Sequence, residues 1–392
     1  MAEQRGRVLN GIDRKDELKR LLKGERVGLA AGSASMTAEL EYSVDAVAEL
    51  CTLRALFGPE HGIRGALAPG ETVNDGIDAL SGLPVFSLYG GGTGEDAYEP
   101  PRAGLEMIDT LVFDLTDVGS RYYTYASSLF YAMKACARTG KRLIVLDRPN
   151  PLGGVEIEGN LTLPQLRSFI GRTPVPIRHG WTMGELARFY HAEYWKDCCL
   201  EVVPMLGWRR GMRYEDTGCP FVRPSPNLPT LDAVTLYCGT CLFSGTNISE
   251  GRGTTLPFSM IGAPYIDPVL LAKEMNGIRL PGVLFTPAVF VPQFSKYAQK
   301  TCRGVQIHVT DRRAVKPVEL GVRMFCRIRD LWQSDFSIRE GKDGAPTHLD
   351  LLSGSFDLGS GQKDADEILA DWHAQAEAFA PIHKKYMLYD DQ

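Results

Sequence analysis

The sequence predicts an α/β protein in which a mostly parallel sheet domain is followed by an α+β domain. Three observations carry this. Over the first 150 residues, short apolar runs alternate with stretches of helical periodicity, the pattern of βαβ units. Beyond about residue 165 that regularity loosens, and 200–262 is rich in Pro and Gly. The length, 392 residues with 44% hydrophobic side chains, suits two cores. The expected domains are therefore 1–164 and 165–392.

Each element has its own signal. Residues 26–31 (RVGLAA), 52–57 (TLRALF), 84–88, 110–115 (TLVFDL) and 142–146 (RLIVL) are short apolar runs and read as strands. Between them, 37–50 has helical periodicity, with Thr37 at the N-cap and Glu39 and Glu41 in the first turn. A second helix closes at 105–108, and a third spans 125–138 and ends before Gly140. In the second half, 182–194 opens on a capping box of Thr182 and Glu185. Residues 235–237 read as a short strand, 267–275 as a helix, 303–309 as a strand, and 317–331 and 364–385 as helices.

Composition narrows the function. Net charge is −5, and no basic run marks a nucleic-acid footprint. No apolar stretch approaches the ~20 residues of a membrane span, so no membrane partner is expected. The N-terminus lacks the apolar core of a signal peptide, which favours the cytoplasm, or a secreted or periplasmic site for a mature form. Nine cysteines, an odd number mostly in apolar surroundings, argue against a disulfide framework. Cys238 and Cys241 form a C-x-x-C without a second pair, read as two buried thiols on an apolar strand; Cys198 and Cys199 are read the same way. The glycine run at 89–94 lacks the spacing and Lys of a phosphate loop and reads as a flexible rim.

Three polar clusters follow three predicted strands. They hold Glu60, His61 and Arg64; then Asp114, Asp117, Arg121, Tyr123 and Tyr125; then Asp147, Arg148 and Asn150. Ligands bind beyond the carboxyl ends of parallel strands, so these clusters converge on one rim. Asp147 and Asn150 equally suit helix caps and turns. The second half adds His179, Asn227 and a Gly-rich loop with Asn247, Glu250 and Arg252, pointing to a cleft between two domains. No nucleophile elbow, Walker A or H-E-x-x-H occurs. Carboxylates, aromatics and amides together suit a sugar, and glycoside hydrolysis needs a protonated acid and usually a second carboxylate. Glu60, beside His61, is the candidate acid; Asp117 and Glu250 are candidates for the second role. Arg64, Arg121, Arg148 and Arg252 suit an anionic substituent. Tyr123, Tyr125 and Asn227 are candidates to line the sugar site. A metal-dependent hydrolase using His61, Asp114, Asp117 and His179 is the alternative, although that spacing matches no known signature.

Seven runs together resemble one family, the exo-β-N-acetylmuramidases of the NamZ type, glycoside hydrolases once grouped only as a domain of unknown function. They are GPEHGIRG (58–65), LPVFSLYG (83–90), DLTDVGSRYYTY (114–125), LDRPNP (146–151), HGWTMGELA (179–187), PSPNLPT (224–230) and GTNISEGRGT (245–254). The resemblance implies a Rossmann-like first domain, an ancillary second domain closing the cleft, and no metal or organic cofactor. It implies release of N-acetylmuramic acid from peptidoglycan-derived muropeptides or disaccharides, with Glu60 as the leading catalytic residue and the lactyl carboxylate as the anion. Thr116 and Ser244 depart from the pattern, which has Gln and Glu there. Those two departures are what would favour a muropeptide-binding protein without turnover.

Overall fold

The computed structural model describes residues 7–59, 62–64, 76–89 and 94–390. Glu60, His61 and the glycines at 90–92 lie outside the described residues. The first sheet contains β1 (Arg26–Ala31), β2 (Thr52–Gly58), β3 (Gly76–Ile77), β4 (Pro84–Ser87), β5 (Thr110–Asp114), β6 (Arg142–Leu146) and β7 (Cys199–Val203). Their order is β3-β4-β2-β1-β5-β6-β7. All neighbours are parallel except β3, which runs antiparallel to β4.

The strands are apolar on both faces because helices cover both. Leu111, Phe113, Leu143 and Val145 point into one core with the helices Tyr125–Thr139 and Met183–Glu193. Val112, Ile144 and Leu146 alternate into the other, with Val44 and Val47 of the helix Ser43–Ala48. From β1 the chain moves outward through β2 and β4, then restarts on the other side of β1 with β5. The crevice beyond the carboxyl ends of β1 and β5 is thus the topological switch point, where such sheets bind ligands. In the register, Ala31 faces Asp114 there.

The second half builds a three-stranded antiparallel sheet, β8 (Met260–Ala263), β10 (Cys302–Val309) and β9 (Val283–Phe290), in that order. The helices Leu231–Thr240 and Pro317–Leu331 cross at two glycines. A Cβ on Gly239 would come within 1.8 Å of Pro317 O, so only glycine permits that approach. One hydrophobic core runs through both halves, from Phe113 and Tyr122 to Phe325 and Trp372.

Several elements differ from expectation. The helix expected at 37–50 is only Ser43–Ala48. Thr37 Oγ1 accepts from Glu41 N (3.1 Å) and Leu40 takes φ 64°, so 37–41 is a turn, and Thr37 caps no helix. Residues 235–237 lie in a helix, not a strand, with Thr230 as N-cap. An apolar run of three carries no period that separates the two. The Thr182–Glu185 capping box, the Gly140 C-cap (φ 65°) and the Asp364-capped helix Ala365–Lys385 form as expected. The sheet takes β7 from beyond residue 165, so the two expected domains share one sheet.

Candidate functional site

Gly32 follows β1, and its amide donates to Ser35 Oγ (2.9 Å). A Cβ on Gly32 would lie 3.5 Å from both Pro59 Cγ and the Tyr125 hydroxyl. The ends of β1 and β2 and the start of the helix Tyr125–Thr139 therefore meet at one mouth. Ser33 Oγ donates to Arg223 O (3.4 Å) and Tyr123 OH to Pro224 O (3.0 Å), closing the second half's PSPN segment over it. Asn227 and Ser225 are buried beside Pro224, and the Asn227 amide donates to Ser225 Oγ (3.4 Å).

Asp117 stands just beyond β5. Its Oδ2 accepts from Gly119 N (2.6 Å) and lies 3.1 Å from His179 Nε2. The Trp181 amide donates to His179 Nδ1 (3.2 Å), so that nitrogen carries the lone pair and Nε2–H points at Asp117. Gly119 has φ 77°, and a Cβ there would sit 2.4 Å from Asn150 Oδ1. The turn that aims the Gly119 amide at Asp117 therefore requires glycine. Asp117 Oδ1 is buried and has no hydrogen-bond partner among the described residues. The result is a carboxylate with one oxygen fixed by two donors and the other buried without one among the described residues.

Other candidates serve the frame. Asp114 accepts from Arg148 at Nε (2.6 Å) and Nη2 (2.8 Å), with the Ser43 hydroxyl as a further partner. This bidentate pair is buried at the end of β5. Asp147 accepts from Gly184 N (2.8 Å), Thr182 Oγ1 (2.8 Å) and Tyr389, and burial pushes its carboxyl upward against these bonds. It caps the helix Met183–Glu193. Asn150 accepts from Leu152 N and donates to Trp181 O, both at 2.9 Å. Arg121 is buried on the carbonyls of Asn160, Val175, Leu352 and Ser353 and ties the first domain to the second. Arg64 pairs with Asp78 (2.9 Å), lies over the Tyr42 ring, and holds the Asp78 carboxyl down at about 2.

A row of rings leads across the site. Tyr125 and Tyr123 have centroids 4.7 Å apart, Tyr123 and Tyr237 6.1 Å, and Tyr237 and Phe258 4.9 Å. Arg252 lies over Phe258 at 5.2 Å. Glu250 is buried, 3.2 Å from Arg252 Nη1 and 2.8 Å from Lys296 Nζ. Burial works against its charge, but Lys296 and Arg252 outweigh that and hold the carboxyl below its usual range. Asn247 accepts from Tyr265 OH and Ser337 N and donates to Asp335 O, so it pins its loop. Sequence reasoning missed Lys296 and Tyr237. Neither sits in a motif, and only the tertiary fold brings them to this loop.

The departing residues are both engaged locally. Thr116 Oγ1 donates to Ala34 O (3.3 Å), and Ser244 Oγ to Cys241 O (2.7 Å). Among the described residues, no group of three His, Cys, Asp or Glu gathers in a way that could hold a metal ion. Of the alternative metal set, Asp114 belongs to the Arg148 pair, and His179 offers Asp117 an N–H rather than a lone pair. All nine cysteines are free; Cys238 and Cys241 are buried, though at a helix end rather than on a strand, and Cys199 is exposed where burial was expected. No described helix is long and apolar enough to cross a membrane.

Comparison with known proteins gives a consistent result. The family model for the exo-beta-N-acetylmuramidase NamZ N-terminal domain matches residues 27–232, and that for the C-terminal domain matches 235–389. The chain is 41% identical to the peptidoglycan beta-N-acetylmuramidase NamZ of Bacillus subtilis (strain 168), over 98% of this chain and 92% of that protein. Two crystal structures of DUF1343 family proteins from Bacteroides fragilis NCTC 9343 are similar in fold. One has a TM-score of 0.86 at 33% identity, covering 98% of this chain and 99% of that one. The other has a TM-score of 0.74 at 29% identity, covering 99% and 100%.

Proposed function

The chain belongs to the exo-β-N-acetylmuramidase NamZ family, and on that premise we propose that it is an exo-acting glycosidase that removes β-1,4-linked N-acetylmuramic acid from the non-reducing ends of peptidoglycan fragments. The observation that carries the reading is Asp117, a buried carboxylate at the switch point with one oxygen oriented by Gly119 and His179 and the other without a hydrogen-bond partner among the described residues. Glu60, the residue after Pro59 at the end of β2, protonates the departing glycosidic oxygen, with His61 as its charge partner. Asp117 serves as base or stabilises the oxocarbenium-like transition state. Tyr123, Tyr125 and Asn227 line the sugar, which comes as a muropeptide or disaccharide.

The Arg223–Pro224 segment, held by Ser33 and Tyr123, and the 245–254 loop cover the cleft. Free thiols at all nine cysteines support work in a reducing compartment on recovered wall fragments.

The test is turnover of para-nitrophenyl β-N-acetylmuramide beside the matching N-acetylglucosaminide. Release from the muramide alone, abolished in Glu60→Gln, supports the reading. A Glu60→Gln variant with full activity overturns the assignment of the acid. Tight binding without turnover would favour a muropeptide-binding protein.

A further inference from the structure

Three segments remote in sequence meet at the loop 243–252. The Asn247 amide donates to Ser337 O (2.9 Å) and the Arg339 amide to Gly245 O (3.0 Å), so 337–339 lies antiparallel beside 245–247. A Cβ on Gly245 would come within 2.7 Å of Leu349 Cα, which sets His348 and Leu349 against the same turn. Lys296 Nζ donates to Phe243 O (2.6 Å), Ile248 O (2.6 Å) and Glu250 Oε2 (2.8 Å), pinning the loop. Arg252, at the end of this loop, lies over Phe258, the last of the rings that run from Tyr125. The three segments therefore gather where the second half meets that row.

Two basic side chains here are unengaged. Among the described residues, neither the Arg339 guanidinium nor the His348 imidazole makes a hydrogen bond or an ion pair, and both residues are exposed. By contrast, Arg148 and Arg64 each hold a carboxylate, and Arg121 is buried on carbonyls. The groups packed around His348 withdraw water from its ring, and Arg252, Lys296 and Arg339 act on it as cations. Together they hold its imidazole below the usual 6.5, with Glu250 acting the other way. Asp350, on the same helix, is turned back onto Thr347 N (2.9 Å) and Oγ1 (2.7 Å) as part of the capping box. An anion set between His348 and Arg339 would draw the imidazole upward again.

We propose that Arg339, with His348 beside it, is the specificity-determining receptor for a carboxylate carried by the substrate. The inference rests on the glycosidase reading, under which that carboxylate is the lactyl group of the muramic acid. Arg339 suits it because the planar fork of a guanidinium matches a carboxylate. His348 donates an N–H to the same group and takes up a proton as it binds, so the preference for the acid strengthens as pH falls.

The experiment compares the chromogenic muramide with its lactyl methyl ester, on wild type, Arg339→Gln, Arg339→Lys and His348→Asn, with thermal unfolding as the check on folding. Wild type should favour the acid, and more so as pH falls from about 7.5 to about 5.5. Arg339→Gln should raise KM for the acid about 10-fold relative to the ester, the value of a charged hydrogen bond. Arg339→Lys should restore part of the preference. His348→Asn should flatten the pH trend in the acid-to-ester ratio; a merely structural histidine would change both substrates alike and keep the trend, which overturns its part. A wild type that handles acid and ester equally, or an Arg339→Gln enzyme that keeps the wild-type ratio, overturns the proposal. Should wild type cleave neither substrate, the glycosidase reading fails, and calorimetry with N-acetylmuramic acid and its methyl ester judges Arg339. Loss of acid preference in Arg339→Gln supports its role; retained preference refutes it.

Discussion

His179 donates from Nε2 to Asp117 Oδ2 across 3.1 Å, while the Trp181 amide occupies its other ring nitrogen. The imidazole is held in one tautomer by the backbone of its own segment. Its function here is orientation: it fixes one carboxylate oxygen and leaves Asp117 Oδ1 facing away from any described partner.

Asp117→Asn should therefore lower kcat by roughly 10²- to 10⁴-fold, the range for a lost acid–base group. His179→Gln removes one charge-assisted hydrogen bond and should cost roughly 10- to 100-fold in kcat. Steady-state kinetics on the muramide, with circular dichroism to confirm folding, checks both. Equal activity of Asp117→Asn and wild type would remove Asp117 from the mechanism.

The Asp114–Arg148 pair is expected to govern stability rather than substrate binding. Both side chains are buried and bidentate. Arg148→Met leaves Asp114 buried without its cation, which should cost about 3–5 kcal/mol. Urea unfolding measures this. A loss below about 1 kcal/mol would mean that water or another group replaces the guanidinium.

His383 should make stability fall in acid. Burial and the Arg210 guanidinium push its imidazole down to about 4 from the usual 6.5. Its Nε2 lies 3.2 Å from Arg210 Nη2 and accepts that donor. Between those two values the unfolded chain binds the proton and the folded one does not, so stability is lost as pH falls from 6.5 through about 4. The contribution is on the order of 3 kcal/mol. In His383→Gln the difference in unfolding free energy between pH 7 and pH 4 should shrink by that order. An unchanged slope refutes the assignment.

The cysteines should divide by accessibility. Cys199 is exposed, whereas burial pushes the Cys238 and Cys198 thiols up to about 12. A disulfide reagent should label Cys199 first in the native protein, and Cys199→Ser should remove that fast phase. Cys238 and Cys241 should react only after unfolding.

The parallel sheet was legible in the sequence because β1, β5 and β6 are short, mostly buried apolar runs and β2 ends in one. The capping box at Thr182 and the αL stop at Gly140 were equally readable, since both rest on local chemistry. The 37–50 segment misled because periodicity does not register the turn that Thr37 closes on Glu41.

Residue types alone marked the rim of the sheet and the kinds of side chain that gather there. They could not distribute roles among like residues. Four arginines have one chemistry; the fold gives Arg148 and Arg64 a carboxylate each, buries Arg121 on carbonyls, and sets Arg252 against Glu250 and the Phe258 ring. Asp147 became a helix cap and Asn150 closed a turn, while Asp117 kept one oxygen without a partner among the described residues. Sequence determined which elements form, because propensity and capping act within a few residues. Tertiary structure decided which polar atoms remain available, because their partners, such as Lys296 for Glu250 and His179 for Asp117, come from 46 and 62 residues away.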